Sequence, residues 1–378
     1  MAMRILAVNL GSSSLKLDLW DTGKLEPITR LAARGVGETR GTVAVDGETA
    51  AETEMADHGS ALESLFPRLP EPERIDRVGH RVVHGGPHRH TAWLTDALRR
   101  ELSELVPLSP VHLPPAIEVI GACMERLPRQ PQAAVFDTAF HAGLPEHARR
   151  YAVPARWHEA GVRRYGFHGI ACADVVTQLG TKLARHAVLL HLGAGCSATA
   201  LLEGRSVDTT MGLTPLEGLV MATRSGDVDP GALIYLLREH GLSLDELDRG
   251  LNHDSGLRGL SGFSDDMKTL LERRADEPAA ALAVEVFCYR AAKTVAALGV
   301  ALGGLDQLIF SGGIGEHAAP VRARVAEQLT WLGLALDADA NAAHRPVLSA
   351  TGSTVEVRMV TVDEGREIAR ETAELSAP

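Results

Sequence analysis

The pattern of hydrophobic and polar residues divides the chain into alternating strands and helices. Residues 5–10 form an apolar run, a Gly-Ser-Ser-Ser turn follows, and Leu15, Leu17 and Leu19 then alternate with polar residues. Alternation with a period of two is typical of a β-strand with one buried face. The chain is therefore predicted to open with a strand, a tight turn and a second strand.

The next part of the chain carries weaker signals of the same kinds. Residues 41–54 alternate like an exposed strand or hairpin, whereas residues 57–69 and 94–106 have helical spacing. A proline-rich break at residues 107–115 precedes a helix that we expect from Ala116 to Arg126. A buried strand, QAAVF, then leads into a loop.

The second half repeats the opening pattern. The segments VNLGSSSLKL and LHLGAGCSAT align at Leu-Gly about 180 residues apart, which indicates a weak internal duplication. Residues 305–329 predict a strand, a glycine turn and a helix, and the chain closes with a strand at 355–364 and a helix at 365–375. Because strands and helices interleave throughout, the fold class is predicted to be α/β.

Composition and charge narrow the possible functions. A length of 378 residues suggests two domains, and a 45% share of hydrophobic residues is sufficient for a sizeable core. The net charge of −11 argues against a nucleic-acid partner. It does not exclude an anionic substrate, because a few local arginines can override the mean field.

Several other classes are also disfavoured. The four cysteines show no paired spacing, so we expect neither a zinc site nor a disulfide framework. His80 and His84 have a metal-ligand spacing if helical, but the intervening Arg-Val-Val and the following glycines favour a strand and loop. No apolar stretch approaches about 18 residues and the start does not resemble a signal peptide, so we expect no membrane contact and a cytoplasmic protein.

Three glycine turns are candidate phosphate sites: Gly11–Ser14, Gly193–Ser197 and Gly312–Gly315. Glycines let backbone N–H groups converge on one anion, although each turn alone is also explained by a tight hairpin. The chain lacks G-x-x-x-x-G-K-[ST], which excludes a P-loop. Residues 193–198 match G-x-G-x-x-A, but we expect a strand after them, whereas the dinucleotide fingerprint must open a helix.

Duplicated strand–turn–strand loops with a separate strand–GGxG–helix are the plan of actin-like and sugar-kinase phosphotransferases. The most specific further motif is the run from Asp208 to Pro230, DTTMGLTPLEGLVMATRSGDVDP. The others are VNLGSSSLKL, GHRVVHGG, VFDTAFH, YGFHG, HLGAGCS, GLSGFSDD, FSGGIGEH and DEGREIAR. In these motifs the chain resembles the acetate kinase (acetokinase) family over nearly its whole length.

The resemblance implies a fold. It implies two actin-like (ribonuclease H-like) domains with a duplicated core and an interdomain cleft. The N-terminal domain would comprise residues 1–145 and 366–378, and the C-terminal domain residues 146–365. The C-terminal domain would carry the nucleotide site and the interface of a homodimer.

The resemblance also implies an activity. This is reversible phosphoryl transfer between ATP and acetate, dependent on Mg²⁺ or Mn²⁺, which gives acetyl phosphate and ADP by direct in-line transfer. Such catalysis consists mostly of positioning and of positive charge, and guanidinium groups hold carboxylate and phosphoryl oxygens well. The catalytic residues implied by the resemblance are Arg81, Asp137, His168 and Arg224.

The remaining site residues are carried over in the same way. Asn9 and Glu364 would hold the metal, with Asp363 left open as an alternative ligand. Arg81 would also bind the substrate, and the apolar cup for the acyl group would comprise Val83, Val111, Phe167 and Pro215. The phosphates and nucleotide would contact Ser12, Ser14, Lys16, His191, Gly193, Gly195, Gly312, Gly313 and Ile314.

The chain departs from the family pattern at several positions around this site. Ala194 and Leu113 replace usual asparagines, and residues 170–172 (Ile-Ala-Cys) replace a usual Thr-Ser-His. Val111 replaces a usual leucine, which leaves room for propionate.

Three alternatives to an acetate kinase therefore stay open. One is a propionate or butyrate kinase, and another is a pyrophosphate-dependent relative, against which the intact turn at 311–316 argues. The third is a catalytically weak nucleotide-binding regulatory homologue. Retention of the complete catalytic and metal set argues against that third reading.

Overall fold

A computed structural model describes residues 2–377 and divides the chain into two compact units. The first unit contains the residues up to Ala142, His168–Asp174 and the residues from Asp363 onward. The second unit contains Gly143–Phe167 and Val175–Val362. The chain therefore passes between the units four times.

The first unit is built on a mixed eight-stranded sheet with the order β5-β4-β3-β2-β1-β6-β8-β7. Strand β1 pairs antiparallel with β2 and parallel with β6, and β6 pairs parallel with β8. The strands are β1 Arg4–Gly11, β2 Ser14–Asp21, β3 Glu26–Arg34, β4 Gly41–Val45, β5 Glu48–Thr53, β6 Arg77–Val82, β7 Ala92–Trp93 and β8 Gln132–Phe136.

The second unit contains a mixed five-stranded sheet with the order β11-β10-β9-β12-β13. Its strands are β9 His186–Leu192, β10 Cys196–Leu202, β11 Arg205–Thr209, β12 Gln307–Ser311 and β13 Glu356–Met359. Strand β9 pairs antiparallel with β10 and parallel with β12. This is the arrangement of β1 with β2 and β6, so the topology confirms the predicted duplication and the mixed α/β class.

The helices alternate with these strands along the chain. They are α1 His58–Leu65, α2 Asp96–Glu104, α3 Leu113–Arg126, α4 Glu146–Arg149, α5 Ala155–Glu159, α6 Gly169–Leu179, α7 Pro230–Glu239, α8 Leu244–Asn252, α9 Gly256–Ser261, α10 Met267–Arg273, α11 Pro278–Leu302, α12 Gly312–His317, α13 Ala319–Glu327, α14 Ala338–Ala342 and α15 Glu364–Glu374. In the described part of the chain, no helix combines the length and the apolar character needed to cross a membrane.

Helices cover both faces of the first unit's sheet. On one face, Leu62 of α1 and Val119 of α3 belong to the same buried cluster as Leu17 of β2. On the other face, Ile368 of α15 packs in a cluster with Ile5 of β1. The central strands of the sheet are therefore covered by helices on both faces.

Two predicted boundaries were wrong. One is the start of α3, and the other is the end of the last strand together with the start of the last helix. Helix α3 begins at Leu113 rather than Ala116, because Pro114 and Pro115 lie in its first turn, where a backbone N–H has no partner within the helix. Strand β13 ends at Met359, and Glu364 is the first residue of α15. The predicted hairpin at 41–54 is confirmed as β4 and β5, and the expected strand after Gly195 is confirmed as β10.

Candidate active site

Four polar side chains meet at one end of the first unit's sheet. Asn9 lies on β1, Arg81 on β6, Asp137 directly after β8, and Glu364 at the start of α15. The amide of Asn9 donates to Glu364 Oε2 over 2.7 Å, and Arg81 Nη1 donates to Asn9 Oδ1 over 3.2 Å. The structure thus brings together predicted residues that are up to 355 positions apart.

Asp137 is the most deeply buried of the four, with no exposed surface. Its Oδ2 accepts from Arg81 Nη2 at 2.8 Å and from Nε at 3.1 Å. Its Oδ1 is buried and has no hydrogen-bond partner within the described structure. Burial raises the pKa of Asp137 above its ordinary value, although the adjacent Arg81 opposes that shift.

Arg81 is the positive centre of this group. Burial alone would lower the pKa of Arg81. The nearby carboxylates of Asp137 and Glu364 outweigh that effect and hold the pKa above its ordinary value. Glu364 Oε2 lies 3.4 Å from Arg81 Nη1. The guanidinium is therefore fixed as a cation by two carboxylates at the end of the sheet.

The structure distinguishes the two adjacent acidic residues that begin the last helix. Asp363 caps α15, since its side chain accepts from the backbone N–H of Arg366 over 3.2 Å. Asp363 Oδ2 also pairs with Arg30 Nη2 at 2.5 Å. Glu364, in contrast, faces Asn9 and Arg81.

His168 lies at the start of α6 in an unusual backbone conformation. Its φ angle is +57°, in the left-handed region that side-chain-bearing residues rarely adopt. The following Gly169 donates its N–H to the carbonyl of Asp137 over 3.0 Å. A Cβ at Gly169 would lie only 2.0 Å from that oxygen, which explains the glycine after His168 and ties this turn to Asp137.

The remaining residues predicted for the first unit are dispersed over its surface and core. Ser12 and Lys16 are exposed near the β1–β2 turn, and Ser14 is partly buried there. Val83 is 7% exposed, whereas Val111 is 46% exposed.

In the second unit, the loop from β9 to β10 contains the second glycine turn. Gly193 donates its N–H to the carbonyl of Gly195 over 3.1 Å, and His191 Nδ1 lies 3.1 Å from Ser311 Oγ. Gly312 has a φ of +75°, and a Cβ there would lie 2.7 Å from the carbonyl oxygen of Leu192. Close backbone packing therefore requires glycine where β9 meets α12.

A cavity of about 630 Å³ opens beside these turns. Gly193, Gly313 and Ile314 line it, as do Ala194 and Ala222. Part of the wall was not predicted from the sequence, although the motif GLSGFSDD ends within it. The wall residues that were not predicted include Asp265, Asp266, Met267, Lys268, Leu271, Glu272, His317, Ala318 and Pro320.

A buried arginine supports the glycine turn of α12 from behind. Arg322 has no exposed surface, and its Nη1 donates to the carbonyls of Gly315 at 2.8 Å and Glu316 at 2.9 Å. Its Nε donates to Asn341 Oδ1 at 2.7 Å. Burial lowers the pKa of Arg322 to about 10. No motif in the sequence indicated this support.

The predicted arginine and proline of the long motif contact each other in the second unit. Arg224 Nη1 donates to the carbonyl of Pro215 over 2.5 Å. Phe167, also in the second unit, is 1% exposed.

Comparisons with known proteins show the family to which the chain belongs. The model of the acetokinase family matches residues 4–370. The chain belongs to the acetokinase family. It is 45% identical over 402 residues to an acetate kinase of Ectopseudomonas mendocina, with 99% of each chain covered.

Two solved structures are similar over the full length. A propionate kinase from Francisella tularensis superposes with a TM-score of 0.93 at 34% identity, covering 99% of this chain and 100% of that one. An acetate kinase from Porphyromonas gingivalis superposes with a TM-score of 0.88 at 34% identity, covering 98% and 99%. Membership of the acetokinase family makes the chain a phosphotransferase with a carboxyl group as acceptor and implies ATP as its co-substrate.

Proposed function

We propose that this acetokinase-family protein transfers the γ-phosphoryl group of ATP to acetate, reversibly and in a single in-line step. The observation that carries the proposal is the cluster of Asn9, Arg81, Asp137 and Glu364 in a chain matched by the family over residues 4–370. A carboxylate oxygen of acetate forms the new bond to phosphorus. The bond from phosphorus to the bridging oxygen of ADP breaks, and its electron pair stays on ADP.

This reaction needs positive charge rather than proton transfer, because acetate is already ionised at neutral pH. Arg81, held by Asp137 at 2.8 Å, is suited to bind the carboxylate. Arg224 and His168 are assigned to the oxygens of the moving phosphoryl group. Asp137 keeps the guanidinium of Arg81 in place, so its buried carboxylate acts on the orientation of the acceptor.

Asn9 and Glu364 suit Mg²⁺ or Mn²⁺. Both offer oxygen ligands, which Mg²⁺ prefers, and the nearby Asp137 Oδ1 is a buried acceptor without a donor in the described structure. Within the described residues no three His, Cys, Asp or Glu side chains form a complete metal cage. This suits Mg²⁺, which commonly takes one or two protein ligands and completes its shell with phosphates and water. When bound, the ion would neutralise charge on the phosphates.

A nucleotide donor is favoured over pyrophosphate. The cavity of about 630 Å³ beside Gly193 and Gly313 has the size of a small-molecule site and would be superfluous for pyrophosphate. The glycine turns that line it suit phosphate groups, and the wall at Met267 and Ile314 suits a nucleoside.

A propionate kinase is the second candidate for the acceptor. The Francisella tularensis protein that superposes with a TM-score of 0.93 is a propionate kinase. Val111 also supports this candidate, because valine occupies less space than the leucine usual in the family. One methylene group changes selectivity by only about 1–3 kcal/mol, so both acids are expected to react.

We also propose that the protein is a homodimer joined through the second unit. Helix α7 is rich in apolar residues, yet none of its residues is buried in the single chain. Ile234 and Tyr235 are 49% and 56% exposed, and Leu244 of α8 is 73% exposed. Apolar side chains grouped in this way are typical of a subunit interface.

The test is a hydroxamate-trapping assay with Mg²⁺ and acetate, propionate or butyrate, each with ATP or pyrophosphate. We expect turnover with ATP and acetate, weaker turnover with propionate, and none with pyrophosphate. Folded protein that is silent with every acid and donor would overturn the proposal and favour a binding or regulatory role. The variant Asp137→Asn tests the role of the buried cluster. Its turnover should fall at least about tenfold, because it removes the negative charge that holds Arg81.

A further inference from the structure

Two side chains of the second unit, Tyr151 and Arg164, hold the loop at 210–218, partly through Glu217 of the loop itself. Arg164 Nη1 donates to the carbonyl of Thr210 over 2.7 Å, and Nη2 donates to Glu217 Oε1 over 2.8 Å. The hydroxyl of Tyr151 donates to Glu217 Oε2. Both oxygens of Glu217 are therefore bound to side chains from a segment far earlier in the chain. We call Tyr151, Arg164 and Glu217 the loop clamp.

Backbone hydrogen bonds complete this attachment. Leu213 donates its N–H to the hydroxyl oxygen of Tyr151 over 3.0 Å, and Tyr165 donates its N–H to the carbonyl of Gly212 over 2.9 Å. A Cβ at Gly212 would lie 1.7 Å from Glu217 Oε2 and 1.9 Å from the oxygen of Tyr151. Only glycine fits between the two side chains, so the loop follows the clamp closely.

The protonation state of the clamp is well defined. Burial, and then the hydrogen bond to Glu217, raise the pKa of the Tyr151 phenol above its ordinary value. The phenol therefore keeps its proton over the neutral range and remains a donor. Arg164 also lies over the ring of Tyr151, with 5.6 Å between its Cζ and the ring centroid.

The loop and the segment that the clamp joins both lead to proposed substrate residues. The loop carries Pro215, whose carbonyl accepts from Arg224 at 2.5 Å. The anchoring segment continues from Arg164 to Phe167, three residues further along the chain. A displacement of the loop relative to this segment would therefore change the position of Pro215 relative to Phe167.

We propose that Glu217, through Tyr151 and Arg164, is a positioning residue that sets the width of the acyl pocket and with it the preference for short carboxylates. This inference rests on the proposed function, because Phe167 and Pro215 are assigned to the acyl pocket there. None of the three clamp residues is assigned to substrate binding. Their effect is to fix the distance between the two walls.

The experiment compares Glu217→Gln and Tyr151→Phe with wild type, using Glu203→Gln as a control. Glu203 forms an exposed ion pair with Arg185 in the same unit, away from the loop. For Glu217→Gln we expect the KM for acetate to rise about tenfold, because the substitution weakens the clamp by about one charge-assisted hydrogen bond. The ratio of kcat/KM for propionate to that for acetate should rise about threefold, because a wider pocket disfavours the smaller acid more. The Kd for ATP, measured by calorimetry, should not change.

A second measurement follows the clamp without catalysis. Amide hydrogen exchange should become faster at Leu213 and Tyr165 in both variants and stay unchanged in Glu203→Gln. Tyr151→Phe removes one hydroxyl and is the milder change, so it serves if Glu217→Gln does not fold.

The outcomes separate the two proposals. An active wild type whose acid selectivity is unchanged in both clamp variants would overturn the role of Glu217 alone. A wild type silent with every acid would overturn the proposed function and the pocket role together. Faster exchange with an altered acid ratio would support both.

Discussion

Arg366 holds the carboxylate of Asp174 through both oxygens. Its Nη2 donates to Oδ1 at 2.6 Å and to Oδ2 at 2.9 Å, and its Nε donates to Oδ1 at 2.9 Å. The N–H of Asp363 donates to the same carboxylate over 2.8 Å. Because Asp174 lies on α6 and Arg366 on α15, this contact connects the helix after His168 with the helix that begins at Glu364.

The variant Arg366→Gln should therefore lower the free energy of unfolding. Asp174 has no exposed surface, whereas the Arg366 side chain is 28% exposed, so the loss should be about 2 kcal/mol, which is typical of hydrogen bonds to a charged group. Urea unfolding would measure the change, with Arg74→Gln as the control because the Arg74 side chain is 61% exposed in its ion pair with Glu71. Arg366→Lys should lose less of the free energy of unfolding, since lysine keeps the positive charge although it cannot form the bidentate hydrogen bonds of a guanidinium. If Arg366→Gln lowered the free energy of unfolding no more than the control does, the pair would not stabilise the fold.

The variant Arg224→Ala should cut turnover while leaving the fold intact. A donor that stabilises charge in the transition state is worth about 10²–10³ in kcat, and Arg224 is assigned to the phosphoryl oxygens. Steady-state kinetics with acetate and ATP would measure the loss, and circular dichroism would check the fold. Arg205→Ala is a suitable comparison, because the side chain of Arg205 is 78% exposed in the same unit. Near-normal turnover in Arg224→Ala would remove Arg224 from the mechanism.

Ala194→Asn restores an amide at a position where the family usually has one. Ala194 lines the cavity of about 630 Å³, so the new side chain would reach the proposed phosphate site. We expect the Kd for ATP to fall about threefold to tenfold, the worth of one added hydrogen bond. Calorimetric titration of both proteins with Mg²⁺ and ATP would measure it. An unchanged Kd would indicate that other donors already satisfy the phosphates.

Asp18 makes stability depend on pH. Burial raises its pKa to about 6, with Arg30 opposing the shift and Asp363 adding to it. A carboxyl whose pKa is raised on folding stabilises the fold below its unfolded pKa, and that contribution is lost as pH rises through about 6. The free energy of unfolding of Asp18→Asn, measured relative to wild type, should thus be roughly 2 kcal/mol higher at pH 8 than at pH 4. Denaturant unfolding at the two pH values, with the exposed Glu52→Gln for comparison, provides the measurement. An equal difference at both pH values would exclude titration of Asp18.

Local sequence patterns were sufficient to predict the elements that carry the glycine turns. The alternation of Leu15, Leu17 and Leu19 predicted β2, and all three side chains are buried on one face. The expected strand after Gly195 is present as β10, which removes the dinucleotide interpretation. These features depend on neighbouring residues, so their signal is present in a short stretch of sequence.

Contacts between distant residues could not be predicted in this way. Asp174 and Arg366 are 192 positions apart, and although Arg366 lies in the motif DEGREIAR, the motif does not indicate its partner. Arg322 is a second example, since a buried arginine that donates mainly to carbonyls has no sequence signature. The choice between Asp363 and Glu364 was open for the same reason, because the helix start that separates them is set by the cap at Asp363.

The return of the chain to the first unit at Asp363 has a consequence for biosynthesis. The strands of the first sheet are complete once Phe136 has been made, but Ile5 and Ala7 pack in a cluster with Ile368 and Ala369 of α15. A growing chain on the ribosome must therefore leave the apolar side chains of Ile5 and Ala7 without this helix until α15 has been synthesised. Glu364 arrives with the same helix. A chain terminated before α15 would lack both the helix that covers this face of the sheet and a proposed metal ligand, so it should be inactive and prone to aggregation.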